Sequence, residues 1–321
     1  MLGCVVGQLG DAPELASCPQ PGRSPGHALV KVTAAALNPI DLLISAGKHP
    51  AGAPPVPHVP GIEAVGYVVE SDRYAAGTRV RVSVAGGWVS GALAEYVSAP
   101  DLACLQVPGD LADTQAAAIG VVGISSLISL RDRVALGKGE SVLVLGATGA
   151  LGLACLQVAR HLGADRVIAA GRHPERLAAL GARADGTVVL NADHPAGSLR
   201  ARLDEVGGPV NVVVDPLAGA YASQAVQCLA PGGRYLNLGE LAGGAMTVES
   251  GWLRHGGLTM TGFSGSLVTP GQGVAAYGDI ALLAASGGFD LPVRAFPAAR
   301  IGEAWAAQAQ SPGAKVVVTF S

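Results

Sequence analysis

The chain has 321 residues, 50% of them hydrophobic and only 14% charged, with 24 acidic side chains against 21 basic for a formal charge of -3. That length suggests two domains of ordinary size, and the hydrophobic content excludes a disordered chain. The near balance of charge argues against the basic footprint that nucleic acid or an anionic membrane would require.

In chain order, residues 29–32, 64–69 and 79–84 are short β-branched runs, the last alternating with period two. Pro/Gly-rich turns separate them, notably 48–61, and helical pattern is scarce before Leu111. This predicts an all-β module of roughly 110 residues. From Leu111 onward strand-like runs alternate with helical segments, as a parallel sheet with crossover helices requires. The runs are 141–145, 166–170, 187–190, 211–215, 234–238 and 258–261, mostly continuous and apolar, and six of them fit a doubly wound dinucleotide fold. Helices are predicted over 274–285 and 301–310. A last strand over 315–320 lacks a partner in the parallel sheet and is expected to return to the β-rich module. The expected domains are therefore 1–115 with 265–321, and 116–264.

The strongest chemical signal is Gly146-Ala147-Thr148-Gly149-Ala150-Leu151-Gly152, directly after the 141–145 strand and opening a helix predicted over 151–162. Gly149 lets the backbone approach a pyrophosphate, and Gly152 lets helix and strand pack closely. The helix N-terminus offers free N–H groups and a positive dipole end. The usual first glycine is Ala147 here, with Gly146 one residue earlier. Which dinucleotide binds is read at the end of the second strand, where an NAD site places a carboxylate on the ribose. Here Gly171 leaves room, and Arg172 and Arg176, one turn apart, suit a 2′-phosphate. NADPH is the expected cofactor.

Several segments, taken in order, carry a family likeness: Leu37-Asn38-Pro39-Ile40-Asp41, Pro60-Gly61-Ile62-Glu63-Ala64-Val65-Gly66, Gly91-Ala92-Leu93-Ala94-Glu95-Tyr96, the 146–152 turn, Val213-Val214-Asp215 and Leu229-Ala230-Pro231-Gly232-Gly233-Arg234. Together they resemble the zinc-independent quinone oxidoreductase branch of the medium-chain dehydrogenase/reductases, over essentially the whole chain. The resemblance implies an α/β chain in which a Rossmann doubly wound parallel sheet joins a GroES-like β-rich catalytic domain, with a cleft between them and usually a homodimer. Zinc-dependent relatives carry Cys-His where this chain has Asn38-Pro39, and Gly-His-Glu where it has Gly61-Ile62-Glu63. No cysteine falls near 119–126 to act as a third ligand. A catalytic zinc needs three protein ligands and at most Glu63 survives, so no metal is expected. Cys4, Cys18, Cys104, Cys155 and Cys228 form no CxxC pair and encode neither a disulfide framework nor a thiolate zinc site. Without a Lewis acid, the chemistry left easy is hydride addition to a quinone or to a double bond conjugated to a carbonyl.

On the resemblance, Asn38 lines the nicotinamide and substrate, Asp41 of the same motif orients the loop and counts with it among the cofactor-binding residues, and Ser125 places a hydroxyl near the nicotinamide. His49 stands where many relatives have a tyrosine before a proline, and a histidine there suits proton donation near neutral pH. Asp215, Leu238, Gly239, Phe263 and Ser264 complete the expected cofactor site, the chain after the sixth strand also forming the dimer edge. His27, His58, His161, His173, His194 and His255 show no metal-ligand spacing and read as surface or loop residues. The N-terminus shows no basic segment leading into an apolar run, and no stretch approaches ~18 uninterrupted apolar residues. A cytoplasmic enzyme acting on a small quinone or enone, with neither nucleic acid nor membrane as partner, is the expectation. Two alternatives stay open: an enoyl-thioester reductase of a biosynthetic pathway, and a non-catalytic NADPH-binding redox sensor.

Overall fold

The computed structural model describes residues 1–84, 90–190 and 199–321; His194 lies outside them. The chain divides into two compact units, Met1–Val121 with Val268–Ser321, and Val122–Leu267. The sequence reading drew the changeovers at 115/116 and 264/265.

The first unit opens with β1 (Leu2–Val5) and β2 (Glu14–Ser17), an antiparallel pair. There follow β3 (His27–Ala36), the helix α1 (Pro39–Ser45), β4 (Glu63–Glu70), β5 (Arg79–Ser83), β6 (Tyr96–Pro100), β7 (Cys104–Gln106) and α2 (Asp113–Ala118). Then α3 (Gly120–Ile128) carries the chain into the second unit. That unit runs β8 (Ser141–Val144), α4 (Ala150–His161), β9 (Arg166–Gly171), α5 (Pro174–Ala178), β10 (Gly186–Val189), α6 (Leu199–Glu205), β11 (Val210–Asp215), α7 (Gly219–Gln227), β12 (Leu229–Asn237), α8 (Ser250–Gly256) and β13 (Thr259–Gly262). Finally α9 (Pro270–Ala285), β14 (Val293–Pro297), α10 (Ile301–Ala309) and β15 (Lys315–Thr319) return to the first unit.

In the first unit the main sheet has the order β14-β15-β3-β4-β5-β7, with β6 also paired to β3. The last strand does join the β-rich module: β15 lies between β14, parallel, and β3, antiparallel, with Val317 opposite Ala36. Its Val316 and Val318 enter one core with Val30, Val32, Val80, Val97 and the α10 residues Ile301, Ala304 and Trp305. Ala34, Ala35 and Ala36 are completely buried. Alanine is the best helix former, yet these residues stay extended because β4 and β15 take their backbone groups on both sides.

The second unit has the order β10-β9-β8-β11-β12-β13, all parallel. In sequence rank this is 3-2-1-4-5-6, the doubly wound order. Val142, Leu143, Val144, Val167, Ile168, Val212, Val213 and Val214 are all inaccessible, since helices cover both faces. The chain moves outward in opposite directions from β8 and β11. Ligands of such sheets lie outside the carboxyl ends of the strands at that switch point. All five cysteines are free thiols, four of them buried.

Candidate cofactor and catalytic site

The phosphate turn is stitched to the strands on both sides of β8. Leu145 donates its N–H to Val214 O (2.9 Å) and Ala147 donates to Ala170 O (3.0 Å). Gly149 is the N-cap of α4 and has no side chain to take the first-turn N–H groups. The nearest atom to a Cβ built there is Gly146 O at 3.4 Å, so a side chain would fill the cradle rather than strike a wall. Gly152 is different: a Cβ would fall 2.3 Å from Gly146 O and 2.7 Å from Ala147 Cα. Only glycine lets α4 approach the turn this closely. Thr148, Ala150 and Leu151 are half-buried around the cradle. This geometry fits a pyrophosphate.

The end of β9 lies beside that turn. A Cβ on the buried Gly171 would meet Thr148 Oγ1 at 3.5 Å and Leu177 Cδ2 at 3.4 Å. Arg172, the next residue, and Arg176 on α5 are both exposed, and the strand end carries no carboxylate.

Asp215, expected among the cofactor residues, ends β11. Its carboxylate is fully buried and already engaged. Oδ1 accepts the N–H groups of Leu217 (2.6 Å) and Ala218 (2.9 Å), while Oδ2 accepts the Tyr235 hydroxyl (2.6 Å). Burial pushes its carboxyl above the ordinary aspartate range, against those three donors. Leu238 and Gly239 follow β12 half-buried, and Leu238 donates to Asp215 O (2.8 Å). Phe263 donates its N–H to Asn237 O (3.0 Å), and the exposed Ser264 shares a hydroxyl bond with Ser266 (2.9 Å).

In the first unit, Glu63 at the start of β4 is completely buried and organises a charged cluster. Its Oε1 accepts from Asn38 Nδ2 (3.0 Å) and Lys315 Nζ (3.3 Å). Its Oε2 accepts from Arg81 Nη2 (2.9 Å) and the Val121 N–H (2.7 Å). Burial works to raise this carboxyl, but Lys315 and Arg81 outweigh it and hold the pKa below the usual glutamate value. Lys315 also donates to Asn38 Oδ1, and Asn38 Nδ2 reaches Ala36 O (3.3 Å). The Asn38 amide, expected to face nicotinamide and substrate, is thus 2% exposed and spent inside the cluster.

Asp41 is buried as well. Its Oδ2 accepts the Asn38 N–H (2.7 Å), closing a capping box on α1 and orienting the loop. Its Oδ1 has no hydrogen-bond partner among the described residues. Burial pushes its pKa up to about 7, opposed by the Asn38 backbone and Lys315. This oxygen's carboxylate lines a cavity of about 20 Å³ with His58, Gly61 and Ile62. His58, read as a surface or loop residue, lies outside the named helices and strands but is buried at 2% exposure, and its Nε2 lies 3.1 Å from Ser45 Oγ. His49 is half-buried on the loop after α1, with Nδ1 accepting the Ala51 N–H (3.2 Å). Ser125 is half-buried on α3, in the second unit.

A divalent cation does not suit this donor set. Asn38 and Ile62 offer an amide and an alkyl group, and both Glu63 oxygens are committed to cations and a backbone N–H. Among the described residues, no group of three His, Cys, Asp or Glu is placed to hold a metal. No helix among them is long and apolar enough to cross a membrane. Arg81, Lys315 and Tyr235 escaped the sequence reading. A buried arginine in a strand alternating with valines, and a lysine opening Val316-Val317-Val318, were the available signals.

Residues 24–109 match the family described as alcohol dehydrogenase GroES-like domain, and residues 150–272 match the zinc-binding dehydrogenase family. The quinone oxidoreductase of Thermus thermophilus, solved also in complex with NADPH, is 30% identical with a TM-score of 0.83, covering 100% of both chains. The quinone oxidoreductase of Lama guanicoe is 31% identical over 215 residues, 66% of this chain and 63% of that protein. A phenolphthiocerol synthesis polyketide synthase of Mycobacterium marinum is 32% identical over 222 residues, 67% of this chain but 10% of that protein. The chain thus spans about a tenth of the length of such a synthase.

Proposed function

Because the chain belongs to the medium-chain dehydrogenase/reductase superfamily, in its quinone oxidoreductase-like branch, we propose that it reduces quinones or α,β-unsaturated carbonyl compounds with NADPH and without zinc. The observation that carries this reading is the end of β9, where Gly171 and Arg172 stand beside the phosphate cradle and no carboxylate repels a 2′-phosphate. The NADPH complex of the Thermus protein supports it.

The Thr148–Gly152 backbone would hold the pyrophosphate, and Arg172 with Arg176 would hold the 2′-phosphate. Leu238, Gly239, Phe263 and Ser264 would flank the nicotinamide, which when bound would supply the hydride. Transfer to the electrophilic carbon leaves an enolate or hydroquinone anion that needs one proton. We assign the His49 imidazole, as its imidazolium, as the proton donor, with the Ser125 hydroxyl hydrogen-bonding the reacting carbonyl. The Asn38–Glu63–Arg81–Lys315 cluster fixes the first unit's loop rather than activating a carbonyl, which favours acceptors already activated. The protein is read as a cytoplasmic homodimer, to be checked by cell fractionation and sedimentation.

The polyketide synthase match favours a second reading, an enoyl-thioester reductase. NADPH consumption followed by absorbance with a small para-quinone, an enone and a crotonyl thioester separates the two. Turnover confined to the thioester overturns the first reading, and tight NADPH binding with no turnover on any acceptor points to a redox sensor.

A further inference from the structure

The turn Asp215-Pro216-Leu217-Ala218-Gly219 leaves β11 at the carboxyl edge of the second unit's sheet. Ala218 has φ +53 and ψ -146, a conformation sparsely populated by any residue with a Cβ. Gly219 follows at φ +62, where a Cβ would strike Ala242 O at 2.4 Å. Such a turn persists only where its surroundings over-determine it. The Asp215 carboxylate takes the Leu217 and Ala218 N–H groups, and Tyr235 on β12 holds that carboxylate from the other side. Ala242 donates to Leu217 O (2.7 Å), and Asn237 Nδ2 ties Gly239 O (2.9 Å) to the same region. Asp215, Tyr235 and Ala218 are buried, while Leu217, Asn237 and Gly239 are half-buried and Ala242 is exposed. A Cβ on Gly146 would meet Leu217 Cδ2 at 3.1 Å and Pro216 Cγ at 3.4 Å, so these side chains back the phosphate turn.

We propose that Asp215, held by Tyr235, is a positioning residue for the nicotinamide half of the dinucleotide: it fixes the Pro216-Leu217-Ala218 turn as the wall along which that half lies, and touches no cofactor atom itself. This rests on the cofactor reading above. The sheet order supplies the asymmetry. With the phosphates at the end of β8, Gly171 and Arg172 lie on the β9 side and receive the adenine half. The Asp215 turn lies on the β11 side, leaving the nicotinamide half to it.

The test is calorimetric titration of the full chain with NADPH and with adenosine 2′,5′-bisphosphate, which carries the adenine half alone. Asp215→Ala weakens NADPH about tenfold or more, the scale of a lost hydrogen bond to a charged group, while bisphosphate affinity stays within about twofold. Asp215→Asn, which keeps an acceptor for both backbone N–H groups, remains closer to wild type. Ala218→Gly, which removes the strained φ, restores part of the loss in the Asp215→Ala background. Should Asp215→Ala fail to fold, Tyr235→Phe removes a single bond and shows the same selective loss at smaller size, about threefold. Equal loss of both ligands, or no loss in folded Tyr235→Phe, overturns the positioning role. A wild-type chain that binds neither ligand instead defeats the cofactor reading and this inference with it, an outcome distinct from selective failure of the variants.

Discussion

On the proposed reading, Arg172 selects the cofactor, since a carboxylate in that place would repel a 2′-phosphate. Arg172→Ala should weaken NADPH binding at least tenfold and leave NADH within about twofold, as fluorescence titration would show; equal loss would sink the assignment. Asp41 gives a prediction in pH. It is an acid whose folded pKa, about 7, stands above its ordinary 3.8. The folded state therefore binds the proton more tightly, and the site's contribution to stability is present at low pH and lost as pH rises from 3.8 to about 7. Lys315, Glu63 and the Asn38 backbone face this carboxylate, and His58 shares its cavity. Asp41→Asn keeps an acceptor for Asn38 and should flatten that part of the profile in urea unfolding at pH 5 and 8. The phosphate turn was legible because its residues are consecutive and each glycine has a local reason. The Glu63 cluster was not, because Lys315 lies 252 residues from Glu63 and 277 from Asn38. Distance in sequence hid a contact that only the sheet creates.

Elements differ in legibility for a related reason. The second unit's strands announce themselves because burial on both faces demands unbroken apolar runs; five of the six lie within a residue of their expected limits, while β12 begins five residues earlier, at Leu229. In the first unit β1, β2, β6, β7 and β14 have three to five residues each and mix polar with apolar positions, so periodicity has too little length to register. The helix α1 was missed for the same reason, at seven residues, although Asn38, Pro39 and Asp41 spell its cap. The strand β15 is structural glue through Lys315. Lys315→Met removes one of the two cations paired with Glu63 and leaves Asn38 Oδ1 without its donor. It should cost about 3–5 kcal/mol in chemical denaturation, the range for breaking a buried pair. A loss near zero would show that Arg81 alone compensates Glu63.

At the scale of the molecule, the residues proposed to bind the cofactor from Gly146 onward belong to a unit continuous in sequence, Val122–Leu267. A ligand bound only by the folded form stabilises it by mass action, about 2.7 kcal/mol at a hundredfold excess over Kd. NADPH should therefore slow hydrogen exchange chiefly in β8, α4, β9 and the Asp215 turn. Protection spread evenly over both units would contradict that placement.

The first unit is not continuous, and this has a consequence for how the protein is made. The strand β3 finds one of its neighbours in β15, some 280 residues later. At ribosomal rates of about 5–20 residues per second, that partner emerges roughly 15 to 60 s after β3. The intervening unit has time to fold while the Ala34–Ala36 end of β3 lacks its β15 partner. A nascent chain in that interval is the form most exposed to strand-edge aggregation and to chaperone capture.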